Sequence, residues 1–285
     1  MLAGKSQMNW KAMSSERIAV QCRIQIERSN LNPWKPLSIL HERGGRHEFE
    51  IGKKYLESGV RLNRICGAQI LSQLQRRRSE RRSLPAETVA LLLPAIDEAA
   101  DDEELEVLLR ALSWQGIPAG FRKLMIYSRH PNPAIRHVVA WGLPGENRDE
   151  AEVLAELSQD TEIDVCDWAL FNLSCCTTDY PELHETLWKL TQSKLPVMRG
   201  QALLSLARRH VAGTESALIA ELSRSDGEME FNYISEAVEL LASPAFLPIL
   251  QSLTDRNFPK GTFAHQYIRR MLHCCLKPGK ISKRT

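Results

Sequence analysis

The sequence predicts an all-α protein, an α-solenoid of about six to seven helical hairpins. Three observations predict it. A short apolar pattern recurs along the chain at near-constant spacing, a second amphipathic stretch precedes each copy, and proline or glycine separates the pieces.

The copies follow in chain order. RICGAQIL sets Arg64, Gly67 and Leu71; ELEVLLRAL sets Leu105, Leu108 and Leu112; IRHVVAWGL sets Arg136, Val139 and Leu143. DVCDWALFNL continues with Cys166, Ala169 and Leu173, and VMRGQALLSL with Arg199, Ala202 and Leu206. YISEAVELL gives Ile234, Ala237 and Leu241, and AHQYIRRML closes on Ile268 and Leu272. The central residues 67, 108, 139, 169, 202, 237 and 268 step by 41, 31, 30, 33, 35 and 31, the length of two short helices with their turns. EAEVLAELSQ, LHETLWKLTQ, ALIAELSR and FLPILQSLT supply the preceding helices, with apolar residues at i, i+3, i+4 and i+7. Pro131, Pro133, Pro144-Gly145, Pro181, Pro196, Asp226-Gly227 and Pro244 punctuate the series. A small residue at the middle of most second helices suits close approach of neighbours. One hairpin cannot bury its apolar face alone, so the hairpins stack. This is the grammar of HEAT-like repeats. Residues 37–276 form the repeat array, 1–36 an N-terminal extension or cap, and 277–285 a basic tail.

Composition sets the class. The chain has 285 residues, 43% hydrophobic and 25% charged. It contains no apolar run near the roughly 18 residues of a membrane helix, and MLAGKSQMNWKAMSSER lacks the apolar segment of a secretory signal. Cys22, Cys66, Cys166, Cys175, Cys176, Cys274 and Cys275 make an odd set of seven without a CxxC pair, which predicts neither a disulfide framework nor a zinc site. A cytoplasmic protein without membrane, metal or cofactor is expected.

The net charge of +2 hides an asymmetry. Residues 83–245 carry 27 Asp and Glu against 12 Lys and Arg, and the remainder 8 acids against 25 bases. Acidic clusters lie at 97–106, 147–152, 159–164 and 225–230; RRRSERR, with Arg76, Arg77, Arg78, Arg81 and Arg82, is the densest basic run. An acidic middle disfavours nucleic acid and steers in a basic protein.

Projecting each second helix at about 100° per residue, with Val139 toward the core, turns His137 and Trp141 outward. Asp167, Phe171, Leu204 and Glu239 occupy equivalent positions, and Trp168 and Glu236 stand at the flank. The expected partner-binding face is therefore His137, Trp141, Asp167, Trp168, Phe171, Leu204, Glu236 and Glu239. Large aromatics on an outward face are what interface hot spots use; a phase shift of one residue would make Trp141, Trp168 and Phe171 core instead.

Catalytic motifs are absent: there is no phosphate-binding glycine loop, HExxH or GxSxG, and the His273-Cys274-Cys275 cluster near His265 has no zinc spacing. Asp160 and Asp164 lie together among other acids in a connection. Asp167-Trp168 resembles a pairing in helical-repeat DNA glycosylases, and the repeats are similar to those of phycobilin lyases; both likenesses stop at shared pattern.

The ordered segments resemble a more definite family. LHERGGRHEFEIGKKYLESGVRLNRICGAQILSQL, DVCDWALFNLS, VMRGQALLSLARR and ISEAVELLASPAFLPILQSL are similar, in that order, to segments of the HEAT-repeat immunity proteins encoded beside Rhs polymorphic toxins, whose repeats are of the PBS-lyase type. The similarity spans roughly residues 37–254, with RGG before the first repeat and the DVxxWAxF segment as its more specific parts. Cys166 stands where the family commonly has arginine, and residues 76–106 match poorly. The resemblance implies a bacterial antidote, not an enzyme, that binds and blocks a cognate toxin domain; a basic, nuclease-like protein is a partner the charge would favour. A general protein–protein scaffold or adaptor is the alternative, and after it a HEAT-repeat enzyme, either a DNA glycosylase or a chromophore lyase.

Overall fold

The computed structural model describes residues 10–29, 34–74, 84–224, 231–255 and 262–276, and these contain sixteen α-helices and no strand. The basic run at 76–82, the acidic cluster at 225–230 and the tail at 277–285 lie outside the described residues. The chain divides into two compact units, Met1–Leu143 and Pro144–Thr285.

The first unit holds α1 (Ser15–Ser29), α2 (Trp34–Arg43), α3 (Arg46–Leu56), α4 (Arg61–Ser72), α5 (Pro85–Asp97), α6 (Asp102–Ser113), α7 (Pro118–Met125) and α8 (Pro133–Gly142). The second holds α9 (Arg148–Leu157), α10 (Ile163–Cys175), α11 (Pro181–Leu190), α12 (Pro196–Arg208), α13 (Thr214–Leu222), α14 (Phe231–Leu241), α15 (Leu247–Asp255) and α16 (Phe263–Leu276). The helices pair as hairpins: α3/α4, α5/α6 and α7/α8 in the first unit; α9/α10, α11/α12, α13/α14 and α15/α16 in the second. Within each unit the second helices pack on one another, α4 on α6 on α8 and α10 on α12 on α14 on α16, as in an α-solenoid. Every repeat copy read from the sequence is one of these second helices, and Gly67, Leu108, Val139, Ala169, Ala202, Ala237 and Ile268 are all buried. The N-terminal region adds a further pair: Ile18, Ala19, Cys22 and Ile26 of α1 are buried, and α1 packs on α2 and α4.

Helix starts obey local chemistry. Pro85, Pro118, Pro133, Pro181 and Pro196 sit in the first turn of their helices, where no amide donor is missed. Asp101, Asn132 and Asn147 are N-caps whose side chains accept from Glu104, Ala134 and Glu150 backbone N–H groups.

The recurrent arginine also gains a physical reason. Arg136 Nη1 donates to the carbonyls of His130 and Pro131 at 2.8 and 3.0 Å, and Arg199 Nη1 to those of Ser193 and Lys194 at 3.2 Å each. Both therefore close the turn leading into their own helix. Arg64 instead grips Glu104 of the next hairpin through two parallel bonds, of 2.6 and 2.8 Å. In α10 the substitute, Cys166, donates its thiol to the Asp160 carbonyl, at 2.9 Å.

Burial separates the thiols. Desolvation pushes Cys22 up to about 12 and Cys66 in the same direction, whereas Cys175 is exposed. Thiol titration at pH 8 is expected to label Cys175 in the native protein, and Cys22 and Cys66 only after denaturation. Above the ordinary value of 9.0 the unfolded chain releases the Cys22 proton while the folded chain holds it to about 12, so stability falls across that window as pH rises.

Candidate functional site

The outward positions of the second helices behave differently from repeat to repeat. In the first unit Trp141 and His137 of α8 are half-buried. Trp141 is not core: it meets Trp114 edge-on, with ring centroids 4.9 Å apart and planes at 72°, and the Arg110 guanidinium lies 5.7 Å from its ring. Arg110 also pairs with Glu106 one turn earlier, at 2.8 Å. The set is an aromatic–cation cluster of half-buried side chains.

Beside it runs a groove of about 560 Å³ that no sequence pattern singled out. Trp34, Leu37 and His41 of α2, Gln69 and Gln73 around the end of α4, and Glu106, Arg110 and Trp114 of α6 and its C-cap line it. Trp34 is 70% exposed. His41 Nε2 sits 2.9 Å from the Gln69 carbonyl, which fixes one wall of the groove. Helical period alone marks Trp114, because six residues beyond Leu108 is about 240° round the helix, toward the outward side. Trp34 precedes the first repeat and carries no such signal.

In the second unit Phe171 is 38% exposed and Trp168 half-buried, meeting edge-on at 5.7 Å, so neither belongs to the core. Asp167 is half-buried and accepts from Gln201 Nε2 at 2.9 Å; the same amide donates to Tyr233 Oη at 3.1 Å. A polar ladder therefore crosses α10, α12 and α14. Two expectations need correction. Leu204 is 2% exposed and packs with Leu203, Ala207, Leu218 and Ile234. The projection assumed one core-facing side, but α12 is packed against α10, α11, α13 and α14 and is buried all round. Glu236 and Glu239, placed on the expected face, do not present unpaired negative charge. They pair instead with Arg208 and with Arg270, the latter at 2.9 Å, so the local field is mixed in sign.

A cavity of this second unit, about 370 Å³, lies between successive hairpin turns and is lined by Asp160, Ile163, Cys166, Lys189, Leu190, Leu195 and Met198, among others. Desolvation pushes the Cys166 thiol up to about 11, making it a neutral wall rather than a nucleophile. Among the described residues no group of three or more His, Cys, Asp or Glu is arranged to hold a metal ion, and no helix is long and apolar enough to cross a membrane.

No protein-family model matches the chain, and no curated protein matches it by sequence. Among solved structures, the X-ray structure of YibA from Escherichia coli is similar, with a TM-score of 0.62 over 93% of this chain and 99% of that one at 18% identity. At that identity the likeness bears on the fold alone, which is the HEAT-like helical-repeat fold.

Proposed function

We propose that this helical-repeat chain is an immunity protein that binds and neutralises a cognate Rhs-type toxin domain. A stacked-hairpin scaffold suits protein interaction in general. The observation that carries a binding role here is the survival of aromatic side chains at outward second-helix positions: Trp141 with Trp114 and Arg110 in one unit, Trp168 with Phe171 in the other. Half-exposed Trp and Arg beside a groove are the residues on which interface energies concentrate. The fold serves many functions, so the toxin as partner rests on the sequence resemblance over residues 37–254. A basic, nuclease-like toxin fits the acidic excess of residues 83–245.

Co-expression tests the reading. The chain restores growth to cells producing the toxin domain encoded beside it; no rescue would sink the proposal. Affinity falls as salt rises, and indifference to ionic strength would remove charge-led capture. Trp141→Ala or Phe171→Ala weakens the complex by about 30-fold, the equivalent of a hot spot of about 2 kcal/mol. Unchanged circular dichroism would show that the loss comes from the interface rather than from the core.

A further inference from the structure

The acids on the outward side and flank of the second helices fare differently. Glu106 pairs with Arg110, Glu236 with Arg208 and Glu239 with Arg270. Asp167 is half-buried and holds no cation among the described residues; its Oδ1 accepts from Gln201 Nε2 at 2.9 Å. Gln201 is 1% exposed, and the same nitrogen donates its other proton to Tyr233 Oη at 3.1 Å. A carboxylate only accepts, so the amide has to turn its nitrogen toward Asp167. That orientation leaves Gln201 Oε1 buried without a hydrogen bond, a cost for which packing alone gives no reason. The result is a carboxylate fixed through one oxygen, with the other, Oδ2, uncommitted. Phe171, 38% exposed, follows one turn later on the same side of α10, and Trp168 meets it edge-on at 5.7 Å.

We propose that Asp167, Trp168 and Phe171 form an anchor for an arginine side chain of a protein partner. A guanidinium at Oδ2 makes a charge-assisted hydrogen bond. Its flat face has the Trp168–Phe171 pair to lie against, as the Arg110 guanidinium has the Trp141 ring in the first unit. Gln201 orders the carboxylate before the partner arrives, which lowers the ordering cost of binding. Arg208 of α12 does not fill the place, being held by Glu236 and by the Ser174 carbonyl. Asp164, exposed three residues earlier on α10, adds charge of the same sign as Asp167. The anchor rests on the reading of this chain as a protein binder and does not need the partner to be a toxin.

Titrating acetyl-Gly-Arg-Gly-amide into the full chain, with the Gln201 side-chain amide and the Trp168 indole N–H followed by NMR, tests it. Saturable shifts of both signals are expected, with the corresponding lysine peptide weaker by about fivefold because an ammonium lacks the planar fork. D167N keeps an acceptor for Gln201 but removes the charge, and weakens binding by about tenfold. F171A weakens it by about threefold. D149N makes the same change of charge at an exposed position of α9 and leaves the affinity as it was. Absence of saturable shifts, equal affinity for the arginine and lysine peptides, undiminished binding in D167N, or a loss in D149N as large as in D167N would each overturn the anchor. Failed rescue of toxin-producing cells, with the peptide shifts intact, would remove the toxin reading and leave the arginine anchor supported.

Discussion

Replacing Arg199 by methionine is expected to lower the unfolding free energy by about 3–5 kcal/mol, the cost of stranding one partner of a buried ion pair. Arg199 and Glu221 side chains are 3% and 7% exposed and meet at 3.0 Å. Without Arg199 the Glu221 carboxylate loses its buried counter-charge, and the carbonyls of Ser193 and Lys194 lose a donor. Replacing both partners by apolar residues, Arg199→Met with Glu221→Leu, recovers most of the loss because no charge is then left in the interior. Urea unfolding of the three proteins checks the pair. A double variant as unstable as the single one would place the energy in the turn carbonyls instead.

Gly67→Ala is the second large effect, and its sign runs against helix propensity. In an open helix the change gains about 1 kcal/mol. At Gly67 the added Cβ would lie 2.3 Å from Leu56 N and 2.7 Å from the Gly52 carbonyl oxygen, where backbone rather than a flexible side chain must give way. A net loss of about 3 kcal/mol or more is expected as α3 and α4 are forced apart. Gly59→Ala is the control, because nothing lies within 4 Å of its added Cβ. It leaves stability unchanged or raises it by about 0.4–1 kcal/mol. Thermal melts of the two variants that moved together would refute the close-packing account.

Much of the fold was legible because its signals are local. Helical period, caps and first-turn prolines act within a few residues, and their repetition at intervals of 30–41 residues exposes the hairpins. The small residue at the middle of α4 likewise announced the close approach that Gly67 makes. Parts of the site were legible for the same reason: Trp141, Asp167 and Phe171 keep partial exposure where the helical projection turned them out of the core, as does Trp168 at its flank. It failed at Leu204, because how many neighbours surround α12 is not written in α12.

The sequence by itself determined an all-helical repeat array, the phase of its second helices and the aromatic character of their outward positions, since each follows from spacing along one helix. Only the tertiary structure decided which of those positions stay open. Arg208 and Arg270 offset Glu236 and Glu239, Trp34 joins Trp114 across a groove, and Cys166 and Lys189 line one cavity. Each depends on side chains from different helices meeting in space, with local period silent about their partners.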